Sequence, residues 1–187
     1  AWRSFACLGA GIAIRMLPAR RRADLAKAPM TDRLDSEQVR KAMDALYEQI
    51  AAQMPGDARI VVVGIRTRGE TLAARLVGRL QAERPQLSIE HGVLDITFYR
   101  DDLSRREGAP LVRATEIPFD IDDAWLLLVD DVLHTGRSAR AALDALHDFG
   151  RPRCIRLAVL VDRGGRELPI AADMVGLRVS VDDDARV

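Results

Sequence analysis

Cysteine is almost missing from this chain. Cys7 and Cys154 are the only two among 187 residues, and their separation matches neither a zinc-ligand spacing nor a disulfide framework. A reducing, cytoplasmic setting is the expectation, with both thiols inert. Net charge is missing as well: 28 Lys and Arg balance 28 Asp and Glu. That balance hides an asymmetry, because residues 1–29 hold six basic side chains and one acid, which leaves 22 basic and 27 acidic residues, a net −5, in 30–187. The bulk of the chain therefore lacks the general basic footprint of a nucleic-acid binder. Long apolar runs are absent too: the opening apolar stretch is broken by Arg15, short of the roughly 20 residues a membrane helix needs. No internal repeat and no second domain stand out. At 48% hydrophobic and 30% charged, the composition fits one globular domain with a real core and excludes a disordered or fibrous chain.

The opening AWRSFACLGAGIAIRMLPARRRADLAKAP differs from the rest. Arg20, Arg21 and Arg22 lie on the wrong side of the apolar stretch for a secretory signal, and an organelle leader fits less well. Residues 1–29 are read as a non-native or disordered extension, with MTDRLDSEQ from Met30 resembling a native beginning. Residues 30–187 are read as a single folded domain.

Within that domain, strand and helix patterns alternate. Val39, Met43, Leu46 and Ile50 recur at helical spacing after the candidate N-caps Asp35 and Ser36, until Pro55-Gly56 stops the pattern. Arg59–Val63 is a β-branched strand ending at Gly64 and expected to pair beside the 125–129 strand, and a glycine-bounded loop then leads to helical apolar spacing at Leu72, Ala73, Leu76 and Leu80. Ser88–Thr97 reads as a further strand. From Tyr99 to Pro118 runs a polar stretch of weak pattern, whose length inside a compact domain favours a functional role. Trp125–Val129 lacks alternation, as does a strand buried on both faces of a parallel sheet. A helix over 137–149 ends at Gly150, Cys154–Val161 is a strand, and Met174–Val179 closes the domain. The expectation is an α/β fold, a mostly parallel twisted sheet flanked by helices.

The chemistry is expected in Leu126–Leu146, LLLVDDVLHTGRSARAALDAL. An apolar strand ends on Asp130 and Asp131; a Thr135-Gly136-Arg137-Ser138 turn then opens a helix. A helix start with a close-approaching glycine binds anions through free N–H groups and the positive dipole end. Adjacent carboxylates cannot share that phosphate, but they accept hydrogen bonds from sugar hydroxyls or hold Mg²⁺. Together they suggest a phosphorylated sugar, against the plainer reading of an N-capped helix after an acidic strand end. The loop holding Arg66, Thr67, Arg68 and Gly69 also follows a strand, and its arginines and backbone N–H groups suit a doubly phosphorylated group; a solvated basic turn is the competing reading. Asp101 and Asp102 read as solvated.

VDDVLHTGRSARAALDAL closely resembles the signature of the type I phosphoribosyltransferases. With GIRTRGETLAARL, DITFYRDDLS, TEIPFDI and LAVLVDRGGRELPIAAD, the resemblance sharpens to the PyrR family over about residues 33–176. It implies the type I fold with a small hood and a flexible lid, and conversion of uracil and 5-phosphoribosyl-1-pyrophosphate (PRPP) with Mg²⁺ to UMP and pyrophosphate. By the same resemblance Asp130 and Asp131 hold the ribose hydroxyls, with Mg²⁺ mainly through PRPP and water. The 132–138 loop, Val132, Leu133, His134, Thr135, Gly136, Arg137 and Ser138, wraps the 5′-phosphate. The Gly64–Gly69 stretch, with Arg66, Thr67, Arg68 and Gly69, forms the pyrophosphate loop, Arg100 reaches the pyrophosphate from the lid, and backbone groups near Val161, Asp162 and Arg163 read uracil under a base hood at Asp162–Ile170. His134 is expected to line the loop without transferring a proton. A homo-oligomer, dimer or larger, and UMP-responsive regulation through pyrimidine-operon mRNA are further family properties. RNA is disfavoured here by Asp44-Ala45, where RNA-binding members carry Thr-Arg, and by the short acidic tail. Gly165 stands where His is expected.

Overall fold

The computed structural model describes residues 34–101 and 113–180. The expected extension at 1–29, residues 102–112 of the lid and the acidic tail lie outside the described residues. Helix α1 (Ser36–Gln53) begins in a reciprocal cap: the Asp35 carboxylate accepts from the Gln38 N–H, and the Gln38 side chain accepts from the Asp35 N–H. Strand β1 (Ile60–Ile65) leads into α2 (Arg68–Glu83), and β2 (Ile89–Leu94) into a short 3₁₀ turn at Thr97–Tyr99. Strand β3 (Trp125–Leu133), helix α3 (Arg137–Leu146), β4 (Cys154–Asp162) and β5 (Met174–Arg178) follow. The helix expected over 137–149 is α-helical to Leu146 and 3₁₀ over His147–Phe149.

The five strands form one parallel sheet in the order β2-β1-β3-β4-β5. Pleating sends alternate residues to opposite faces. Val61, Val63, Leu126 and Leu128 pack with Ala139, Ala142, Ala145 and Leu146 of α3. Ile60, Val62, Leu127 and Val129 pack with Leu46 and Ile50 of α1 and Leu72, Leu76 and Leu80 of α2. Burial on both faces explains why Trp125–Val129 shows no alternation.

Both sheet edges are blunted. Val93 on β2 exchanges two backbone hydrogen bonds with Glu116, and on β5 the Gln49 side-chain amide both donates to the Val175 carbonyl and accepts from its N–H. A polar cluster clamps α1 to α2: the Tyr47 hydroxyl donates to Glu83, while Arg79 lies 3.8 Å over the Tyr47 ring and pairs with Asp44 and Glu83. Asp44, expected to repel phosphate, thus has a cationic partner. No helix among the described residues is long and apolar enough to cross a membrane.

Candidate active site

The acid pair sits inside β3, which runs on to Leu133, past the carboxyl end where the pair was expected. The strand continues because its partner does: Asp130, Val132 and Leu133 stay in parallel register with Val159, Val161 and Asp162 of β4. Leu133 is correspondingly withdrawn from the expected phosphate loop, its side chain buried in the core on the α3 face. The true loop is His134–Gly136. Gly136 ends it with φ 93°, a left-handed conformation that favours glycine, directly before α3. Thr135 Oγ1 accepts from the Arg137 N–H at 3.4 Å.

Asp130, Asp131 and Val132 line a cavity of 390 Å³ with Ser138 of α3, Arg66, Thr67 and Arg68 from the end of β1, and Arg100. The β1 and β3 loops meet there because the two strands are neighbours in the sheet. Their close approach depends on Gly69: a Cβ at that position would stand 2.5 Å from the Val129 carbonyl oxygen. Gly69 is therefore a spacer buried in α2, and the loop proper is Arg66-Thr67. Arg66 pairs with Glu70 at 3.3 Å and Glu116 at 2.7 Å, while its buried Nε has no hydrogen-bond partner. Arg68 reaches Asp131 at 3.5 Å. Burial first, and then the charge of Asp131, push the Asp130 carboxyl up to about 8 from 3.8; Arg100 acts in the opposite direction. Although part of Asp130 reaches the cavity surface, its carboxylate lies deep in protein. Its Oδ1 accepts from the Asp131 N–H at 2.9 Å.

The expected base-reading backbone is largely committed to the fold. The Arg163 N–H donates to Leu133 O, and the Asp162 carbonyl accepts from the Val179 N–H. The Asp162 carboxylate accepts from the Gly164 N–H at 3.0 Å and from Arg166 at 2.6 Å. Val161 is buried between β3 and β5. These three residues do not line the arginine-rich cavity. His134 is also outside it; its ring lies where a side chain at Gly165 would collide, with Nε2 2.8 Å from a Cβ built there. Arg137, expected on the phosphate, instead bridges Asp101 and Glu167. Asp101 is exposed, as expected, and in addition pairs with Arg137 and lies 3.7 Å from Arg140.

The chain matches the phosphoribosyl transferase domain family over residues 31–186. It is 53% identical over 154 residues to the bifunctional protein PyrR of Roseiflexus sp. (strain RS-1), covering 82% of this chain and 84% of that protein. The chain belongs to the PyrR family. Other relatives agree: bifunctional protein PyrR of Deinococcus radiodurans is 50% identical over 80% of this chain and 81% of its own. The PyrR-family fold also aligns with a purine phosphoribosyltransferase from Pyrococcus horikoshii (TM-score 0.59, 24% identity, 79% of this chain and 85% of that one) and a hypoxanthine phosphoribosyltransferase from Staphylococcus aureus (0.61, 18%, 81% and 79%). At such identities these two speak for the fold alone.

Three residues around this PyrR-family site carry roles that sequence reasoning did not assign. Asp95 lines the cavity and accepts from the Thr97 N–H at 2.7 Å and the Arg113 N–H at 2.6 Å, joining both flanks of the polar segment. Its carboxyl is lowered, although burial, the largest influence, works the other way; hydrogen bonds from Thr97 and Arg113 and the Arg66 charge prevail. Arg113 adds a fourth arginine to the lining. Arg166 threads the hood. Only the short Asp95-Ile96-Thr97 spacing offered a signal, as Asp followed two residues later by a hydrogen-bonding N–H is a turn pattern.

Proposed function

We propose that the protein transfers the 5-phosphoribosyl group of PRPP to uracil, forming UMP and pyrophosphate. The observation that carries this reading is one cavity combining four arginines, the β3 acid pair and the start of α3. In it, ionised Asp130 and Asp131 accept hydrogen bonds from the ribose hydroxyls. The N–H groups of His134–Gly136, with Thr135 and Ser138, take the 5′-phosphate. Thr67, Arg66 and Arg68, with Arg100, take the pyrophosphate, whose oxygens supply the acceptor that Arg66 Nε lacks. Catalysis is then positioning and charge stabilisation: the acid pair stabilises positive charge growing on the ribose, and the arginines stabilise the leaving pyrophosphate. No protein nucleophile is needed.

Mg²⁺ suits this donor set, since such ions are typically held by one or two carboxylates together with substrate phosphates and water. No group of three or more metal-ligating side chains gathers among the described residues. Asp130 and Asp131 would therefore hold the ion jointly with PRPP, and it would supply charge neutralisation at the pyrophosphate. A cytoplasmic homo-oligomer belongs to the same reading, with light scattering as the check on assembly.

The test is a base-by-base screen with PRPP and Mg²⁺. Turnover with uracil is expected; turnover only with hypoxanthine, guanine or orotate overturns the base assignment, and no turnover with any base overturns the reaction. Because its relatives are named bifunctional, regulation through pyrimidine-operon mRNA is the second reading. The Arg79–Asp44 pair leaves that part of the α1–α2 surface mixed in charge. The attenuator reading requires UMP-dependent, salt-sensitive binding to a structured leader RNA, and absence of binding at low salt removes it.

A further inference from the structure

Arg166 is absent from the cavity lining, yet its guanidinium makes five hydrogen bonds beside the site. Its Nη1 donates to His134 O at 2.6 Å, Gly164 O at 3.0 Å and Leu133 O at 3.3 Å. Its Nη2 donates to Asp162 Oδ1 at 2.6 Å and its Nε to Ile170 O at 3.0 Å. Three of these acceptors belong to the hood loop or its root, and two to the end of β3 and the phosphate loop. The next carbonyl, Thr135 O, accepts from the N–H groups of Glu167 and Leu168, both at 3.0 Å.

Three consecutive carbonyls, at Leu133, His134 and Thr135, therefore face the hood. In a trans peptide the C=O of one residue and the N–H of the next point in opposite directions. The N–H groups of His134, Thr135 and Gly136 consequently turn away from the hood, and among the described residues none donates to a protein acceptor. Three N–H groups aimed the same way, just ahead of α3, form an anion cradle. Its shape is set from behind, by what grips the carbonyls.

We propose that Arg166 is a positioning residue: gripping the 133 and 134 carbonyls from the hood side, it holds the His134–Gly136 N–H groups in the orientation that binds a sugar 5′-phosphate. The assignment rests on the PRPP reading above. A lysine cannot replace the guanidinium here, because one ammonium cannot reach carbonyls on both sides of the fork while also meeting Asp162. Asp162 offsets the partly buried charge and keeps the fork aligned.

The experiment uses the full chain with Arg166→Lys and Arg166→Gln and two separate probes, ribose 5-phosphate and pyrophosphate with Mg²⁺, each titrated by phosphorus NMR. Arg166 touches the phosphate loop and not the Arg66–Arg68 loop. Both variants are expected to weaken ribose 5-phosphate binding by about tenfold or more, the scale of losing charge-assisted hydrogen bonds. Pyrophosphate binding is expected to stay within about twofold. Equal losses for the two probes, or none for ribose 5-phosphate, overturn the assignment. Arg166→Lys keeps the charge and most of the stem, so it carries the test if Arg166→Gln fails to fold, with circular dichroism as the check. A wild-type chain that binds neither probe overturns the PRPP reading itself, a failure visible before any variant is made.

Discussion

Asp130 and Asp131 are adjacent, but the pleat of β3 turns their side chains toward opposite faces of the sheet. Asp131 meets Arg68 of α2, whereas Asp130 is raised to about 8 by burial and by its neighbour's charge. With its folded pKa above its unfolded value, the folded state binds the Asp130 proton where the unfolded chain has released it. The contribution of Asp130 to the stability of the ligand-free protein then falls as pH rises from near 3.8 through about 8. Thermal unfolding measured across that range should show this decline in the wild type and a weaker one in Asp130→Asn. Ribose hydroxyls need the ionised carboxylate as acceptor, so PRPP binding should release a proton. Affinity should therefore rise with pH, by up to about tenfold per unit below the Asp130 pKa, as calorimetry in buffers of different ionisation enthalpy can verify. Asp131→Asn should lower kcat/KM for uracil by about 100-fold, the scale of losing one preorganised electrostatic contact. The acid pair and the arginine loop were legible in sequence because each is contiguous and its chemistry is local. Asp95, Arg113 and Arg166 were not, because the hydrogen bonds that set their roles include Arg113 to Asp95, 18 positions apart, and Arg166 to His134 and Leu133, 32 and 33 apart, which no spacing rule encodes.

At the scale of elements, the sequence located every strand and helix now seen, and erred mainly at ends. Strand β3 was read four residues short because Asp is a poor strand former; pairing with β4 overrides that preference. Strand β2 was read long, since Asp95 accepts from the Thr97 N–H and bends the chain into a 3₁₀ turn. The start of α1 was correct because its cap is written in four residues. Asp35→Ala should destabilise the fold by about 1 kcal/mol in urea titrations while leaving kcat and KM unchanged, as the cap is remote from the cavity. Gly69→Ala is the contrasting case. Its added methyl would press on the Val129 carbonyl and force α2 away from β3. A loss of about 1–3 kcal/mol is expected together with weaker pyrophosphate binding; unchanged stability and binding would show that the two elements can separate freely.

For the molecule as a whole, the α/β class, the gathering of loops at the strands' carboxyl ends and the pairing of β1 beside β3 were expected and are found. The order of the remaining strands was not legible, since composition is silent on which strand is central; β1 and β3 meet across more than 60 residues of sequence. That placement governs how the site breathes. Both ligand loops hang from inner strands, β3 at the centre and β1 beside it, while β2 and β5 form the rims. Amide protons of Val61–Val63 and Leu126–Val129 can meet solvent only when the sheet comes apart, so they should be the last to exchange with deuterium, at rates set by global unfolding. Rim strands should exchange earlier through partial openings. The distance between the two phosphate-holding loops would thus survive every excursion short of complete denaturation, making this receptor rigid in its footing even while its outer margins fray.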